Sequence, residues 1–142
     1  RSGYRGQIGR NSAIPHALAG NIVFQKGDVL VTGASAPAWG YLSELERTMF
    51  VGPPTSDQER MFGHMLALQD LAFAAIRPGA ACSDVDSDDT TIRPGMVFTV
   101  EPGIYSPELG GYRHSDTVLV TESGIEILTY YPRDLASLII TA

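Results

Sequence analysis

The groups in this 142-residue chain suited to proton transfer, nucleophilic attack or metal binding are three histidines, one cysteine and sixteen acidic side chains. Cys82 has no histidine or orienting acid near it in sequence, so a structural role is the reading for the thiol. The serines lie in no Gly-x-Ser-x-Gly elbow, and no glycine-rich loop is built to cradle phosphate. Asp84, Asp86, Asp88 and Asp89 alternate as in a calcium loop, but its central glycine and closing glutamate are missing, which leaves a solvated turn. His64 lies in an amphipathic stretch and reads as a helix side chain. His16 follows Pro15 in a loop, where it is either satisfied by backbone or active in proton transfer. Glu101 is either a ligand or a buried, hydrogen-bonded strand carboxylate. Arg113 and Asp116 read as a structural salt bridge, and Trp39, Tyr41, Phe98 and Tyr105 as core.

The elements that must hold these groups follow from periodicity. Residues 1–20 are rich in Gly, Ser, Asn and Pro and read as loop with a short helical turn. Val29–Thr32 is a short buried strand, interrupted by Gly33–Ala38; Trp39–Val51 alternates as a half-buried antiparallel strand. Ser56-Asp57-Gln58-Glu59 has the form of a capping box. It opens a helix of roughly 20 residues, closed by Arg77-Pro78-Gly79. After the Arg93-Pro94-Gly95 turn come a strand over Met96–Val100 and a hairpin of Tyr112–Thr121 with Ile125–Thr129. The pattern is α+β: a long helix packed on a mainly antiparallel sheet.

Composition narrows the function classes. Hydrophobic residues at 44% and charged residues at 18% are enough for a core, and residues 1–142 have the size of a single domain. A formal charge of −6 argues against nucleic acid, and no apolar run reaches the ~18 residues of a membrane span. A soluble, cytoplasmic domain is the expectation.

Five segments, in order, are more specific: Asn11-Ser12-Ala13-Ile14-Pro15-His16, Lys26-Gly27-Asp28-Val29-Leu30-Val31, Gly40-Tyr41-Leu42-Ser43-Glu44-Leu45-Glu46-Arg47-Thr48, Arg93-Pro94-Gly95-Met96-Val97-Phe98-Thr99-Val100-Glu101-Pro102-Gly103-Ile104-Tyr105, and Gly111-Tyr112-Arg113-His114-Ser115-Asp116-Thr117. Together they cover nearly the whole chain and resemble the creatinase, prolidase and methionine aminopeptidase family, M24, with its pita-bread fold. The Xaa-Pro dipeptidase and aminopeptidase P branch is the most similar.

The resemblance implies a peptide hydrolase whose two divalent cations are held by two Asp, one His and two Glu, with manganese, cobalt or zinc as the fitting metals. Such a pair activates a shared water and polarises the scissile carbonyl. On the matching positions this chain keeps Glu101 and has Glu44 in place of an aspartate, whereas Gly33 and Ser115 stand where carboxylates are expected. The segment carrying the ligand histidine, between about 86 and 88, is missing, which removes roughly one helix and one strand, several tens of residues. The resemblance places His16 beside the substrate as the proton-transfer group, with Tyr105 and Arg113 at the substrate. With this ligand set no cofactor is expected, and a divalent metal only if the set is restored. Two readings follow: an Xaa-Pro peptidase-like protein with impaired metal-dependent hydrolysis, and a non-catalytic module binding peptide or protein through the former substrate cleft. A metal-free, creatinase-type reaction would need a catalytic histidine from the missing segment. The shortened sheet would expose an edge and apolar surface, so a homodimer or another docked chain is expected.

Overall fold

The computed structural model describes residues 2–18, 20–84 and 88–141. The expected central deletion falls against residues outside that set, as does Asp86 of the acidic run. Strands β1 (Gly3–Ile8), β2 (Val29–Ala38) and β3 (Tyr41–Val51) form an antiparallel meander, and β3 is extended by a parallel two-residue strand near the C-terminus, Ile139–Ile140. Helix α1 (Ser56–Ala75) follows. Then come β4 (Val97–Val100), β5 (Gly103–Ser106), β6 (Gly110–Arg113), β7 (Asp116–Val120) and β8 (Ile125–Ile127). The order β4-β7-β8 makes one small sheet, and β5-β6 a two-stranded ribbon. The architecture is α+β, as the periodicity indicates.

Helix α1 buries Gln58, Phe62, Met65 and Gln69, spaced four, three and four residues apart on one stripe. Phe62 and Met65 join Val29, Phe50, Tyr112 and Leu138 in one core cluster. A second cluster, Ile76, Cys82, Ile92, Val100, Val118 and Val120, lies under the helix C-terminus. Leu68 and Leu71, apolar in the sequence pattern, are exposed. The capping box sits one residue earlier than the sequence indicates: Thr55 is the N-cap, and Gln58 closes the box on the Thr55 N–H at 2.8 Å. Thr55 and Gln58 satisfy the same spacing rule as Ser56 and Glu59, and Pro54 does not extend the helix.

Several strand expectations are corrected. Residues 3–8 are not loop: β1 pairs with β2 from Gly3↔Ser35 to Ile8↔Leu30, a tertiary pairing that its weak β-propensity hides. Gly33–Ala38 does not interrupt β2, which runs on to a two-residue turn at Trp39-Gly40. Both turn residues have positive φ, 53° and 90°, as a hairpin turn of this hand requires. The turn holds Trp39 fully in solvent, and Tyr41 is exposed too, so neither is core. The 112–121 strand is two strands, broken at His114-Ser115, where Ser115 instead exchanges both backbone hydrogen bonds with Glu46 of β3.

Candidate functional site

Registers of β2, β3, β4 and β7 bring three carboxylates together. Glu44 and Glu46 are two apart on β3 and therefore share one face. The Glu46–Ser115 bridge joins that face to the β6–β7 break, and Val100↔Asp116 sets Glu101 beside Ser115. Carboxylate oxygens of Glu44, Glu46 and Glu101 all lie within 4.8 Å of one another. Glu44 and Glu46 are buried and Glu101 is exposed, so Glu101 is not the buried strand carboxylate of the alternative reading.

Two guanidinium groups answer this charge. Arg113 Nε donates to Glu46 Oε2 at 2.5 Å, with both side chains almost wholly buried, and Arg113 Nη1 donates to the Tyr105 hydroxyl at 3.1 Å. Arg5, from β1, stands 3.5 Å from Glu44. Fully ionised, the three carboxylates exceed the two arginines by one negative charge. Burial first, then the charges of Glu101 and Glu46, raise the Glu44 pKa above the usual carboxylate value, with Arg5 and Arg113 pulling the other way. Burial works against the Arg113 charge, but Glu46 outweighs it and keeps that guanidinium more firmly protonated than usual.

The expected Arg113–Asp116 pair does not form, because an extended chain puts residues three apart on opposite faces. Asp116 accepts instead from Arg47 Nη2 at 2.9 Å, Gln69 Nε2 at 3.0 Å and the Thr129 hydroxyl at 2.9 Å, on the helix side. His114 faces that side as well, its ring edge-on to Phe62 at 5.4 Å, away from the carboxylates. Burial foremost, then Arg47 and Arg133, lower its pKa to about 3, so it stays neutral. Neither of its ring nitrogens, nor the buried Ser115 hydroxyl, makes a hydrogen bond of proper geometry to the described residues.

His16 is exposed, in a turn at φ 57°, and its Nδ1 is 2.9 Å from Arg5 Nη1. An arginine only donates, so Nδ1 is the acceptor and the ring proton sits on Nε2, free to donate to a ligand. Arg5 thus links His16 to Glu44. His64 is exposed on α1, remote in role from this cluster. Tyr105 is half-buried and reaches the site through Arg113. Glu46 and Arg5 are not among the site residues expected from sequence. The i,i+2 spacing of Glu44 and Glu46 in a strand was the available signal for the first; Arg5 needed the unseen β1 pairing.

A pair of cations does not fit these residues. Gly33 faces Glu46 across the β2–β3 ladder, and a Cβ there would lie 2.2 Å from the Leu45 carbonyl oxygen and 2.3 Å from Glu46 Cγ, so no carboxylate is accommodated. Ser115 adds a neutral hydroxyl, Glu46 is held by Arg113, and no histidine belongs to the cluster among the described residues. The basin suits a cationic group such as an ammonium.

Comparison with known proteins gives the family. The model of metallopeptidase family M24 matches residues 6–88 and 86–122, two stretches that meet at 86–88. The Xaa-Pro dipeptidase of Pyrococcus furiosus is 32% identical over 163 residues, covering 89% of this chain and 47% of that protein. The aligned 89%, about 126 of the 142 residues here, is thus spread over 163 positions, so about 37 positions of the relative have no counterpart. Among solved structures, the prolidase of Pyrococcus horikoshii superposes with a TM-score of 0.87 at 30% identity, over 93% of this chain and 48% of that one. Dipeptidase PepE of Mycobacterium ulcerans reaches 0.90 at 24% identity, over 98% and 47%, a likeness of fold. The chain spans about half the length of the relatives it matches.

Proposed function

The chain belongs to metallopeptidase family M24, and from that premise we propose that it is an Xaa-Pro dipeptidase-like domain that engages peptides at the Glu44–Glu46–Glu101 basin with impaired metal-dependent hydrolysis. One observation carries the reading. The carboxylates converge as a metallopeptidase would need, yet arginines supply their counter-charge and Gly33 leaves no room for another. The surplus negative charge supports binding of a peptide ammonium at Glu44 and Glu101. His16 Nε2–H is the donor for a peptide carbonyl, and Arg113, fixed by Glu46 and Tyr105, shapes the basin and sets its charge. The non-catalytic reading, a binding module using the former substrate cleft, is favoured by the buried Arg113–Glu46 pair, which commits one carboxylate to the fold.

The proposal includes residues 1–142 as a single domain without the histidine-bearing central segment, a homodimeric state and a cytoplasmic setting. Exposed Leu18, Val23, Phe24 and Trp39 support association with a second copy, and a lone cysteine supports a reducing compartment. No helix among the described residues is long and apolar enough to cross a membrane. The test is release of free proline from Xaa-Pro dipeptides with and without added manganese, beside calorimetric titration of the same peptides. Binding with little or no turnover supports the proposal; brisk, manganese-dependent turnover overturns it.

A further inference from the structure

Among the described residues, strand β4 ends its sheet with no strand on its outer side. Val120 N–H donates to the Met96 carbonyl at 2.8 Å, which fixes the ladder's phase. In that phase Phe98 and Val100 direct their backbone groups at β7, whereas Val97 and Thr99 direct theirs at the outer side. The strand is only four residues long, but no lysine, no proline and no bulge lies within Val97–Val100.

Against this edge lies a cleft of about 460 Å³, lined by Ala72 of α1, by Ile76 just beyond the helix, by Cys82 and Ile92, and by the β4 residues Phe98 and Val100. Among the described residues its charged lining is acidic, Asp88 and Glu101. Residues 79–84 and 88–92 lie beside it, with Cys82 N–H on the Thr90 carbonyl and Ile92 N–H on the Ala80 carbonyl. Asp88, where the two family-model stretches meet, lines the cleft. An edge with no strand partner among the described residues and an apolar cleft thus coincide.

We propose that this cleft is a docking site for an extended, cationic peptide segment from another protein, which adds a strand to β4, lays an apolar side chain against Ala72 and Phe98, and sets a Lys or Arg against Glu101 and Asp88. The backbone groups of Val97 and Thr99 supply the ladder and the cleft supplies the side-chain pocket, as in other strand-addition sites. A second copy of this chain is the poorer occupant, since edge-to-edge pairing would bring two acidic clefts and two chains of charge −6 together.

The test uses a fluorescein-labelled peptide of alternating valine and lysine, read by fluorescence anisotropy on the whole chain. A valine–glutamate peptide and a backbone N-methylated valine–lysine peptide serve as controls. The expected result is saturable binding of the valine–lysine peptide alone, weakened about tenfold by N-methylation, in line with loss of one or two ladder hydrogen bonds. Thr99→Pro removes an outward N–H at an edge position that tolerates proline, and should weaken binding by a similar factor while circular dichroism and thermal midpoint hold. The N-methylated peptide tests the same point should that variant misfold. Equal binding of the N-methylated or valine–glutamate peptide overturns the proposal. So does a dimer in sedimentation that Thr99→Pro abolishes, which would make a second copy the occupant. Glu101 belongs to both sites, but an ammonium at Glu44 and Glu101 and a carbonyl at His16 need no peptide N–H, so the dependence on backbone N-methylation separates this outcome from that of the peptidase proposal.

Discussion

Replacing Arg113 by methionine asks how much of the basin's charge balance belongs to the fold. Arg113 and Glu46 side chains are 5% and 2% exposed and share a 2.5 Å hydrogen bond. Arg113→Met keeps the stem's packing and strands the Glu46 carboxylate in a place water does not reach. Breaking a buried pair from one side costs about 3–5 kcal/mol, whereas replacing both members by apolar groups is often close to neutral. A 142-residue domain has a total stability of roughly 7–20 kcal/mol at the usual margin per residue. Arg113→Met should therefore fold, with its urea midpoint sharply lowered and its m-value unchanged. Glu46→Leu, which strands Arg113 in turn, should cost a similar amount, and the Glu46→Leu/Arg113→Met double variant should recover to within about 1 kcal/mol of the parent, giving a coupling energy of about 5 kcal/mol or more in the cycle. Equilibrium urea unfolding at pH 7 reads all four corners. A loss below 1 kcal/mol for Arg113→Met, or a double variant as unstable as the sum of its parts, would refute the argument. So would a parent midpoint that rises steeply on adding manganese, since a cation would then be the true partner of Glu46.

Gly33→Ala should destabilise by about 1–3 kcal/mol and Gly33→Asp by more, because the obstructing atoms include the Leu45 carbonyl oxygen and Glu46 Cα, which move only with the backbone; urea unfolding of both variants checks this, and a neutral Gly33→Ala would show the strands can part. Glu44 has a raised folded pKa, so its contribution to stability is present below its unfolded value of about 4.5 and is lost as pH rises through the folded value. Glu44→Gln should therefore gain on the parent as pH climbs through that window and hold a constant gain above it, measured by denaturation against pH. His114 has a folded pKa of about 3 against 6.5, so the unfolded chain takes up a proton between those values that the native chain refuses. Native stability should fall by up to about 1.4 kcal/mol per pH unit below 6.5 on this account. His114→Met should remove that slope, as thermal melts between pH 7 and 4 would show.

The parts of the fold legible in sequence are those set by local periodicity. Helix α1 announces itself through its apolar spacing and a capping-box pattern, expected at Ser56–Glu59 and formed one residue earlier at Thr55–Gln58, and the β7–β8 hairpin through Glu122-Ser123-Gly124. Strand β1 was not legible, since Gly3–Ile8 becomes a strand only by pairing with β2. The glycine at 33 and proline at 37 read as punctuation, yet the first serves close strand approach and the second lies near a hairpin tip. Trp39 shows the limit of residue type as a guide to burial, because a turn at positive φ puts it wholly in solvent. At the site, Glu44, Glu101 and Arg113 were found through their sequence context. Glu46 could be placed from its spacing to Glu44 on one strand, whereas Arg5 and the true partners of Arg113 and Asp116 come only from registers and contacts that join distant segments.

The most direct test of the account is elemental mass spectrometry of the purified chain after dialysis against manganese and then metal-free buffer. The charge balance at Glu44, Glu46 and Glu101 predicts far fewer than two manganese ions per chain, with no change in thermal midpoint on addition of the metal. Two ions per chain, with a raised midpoint, would contradict it and restore metal-activated peptide hydrolysis as the reading.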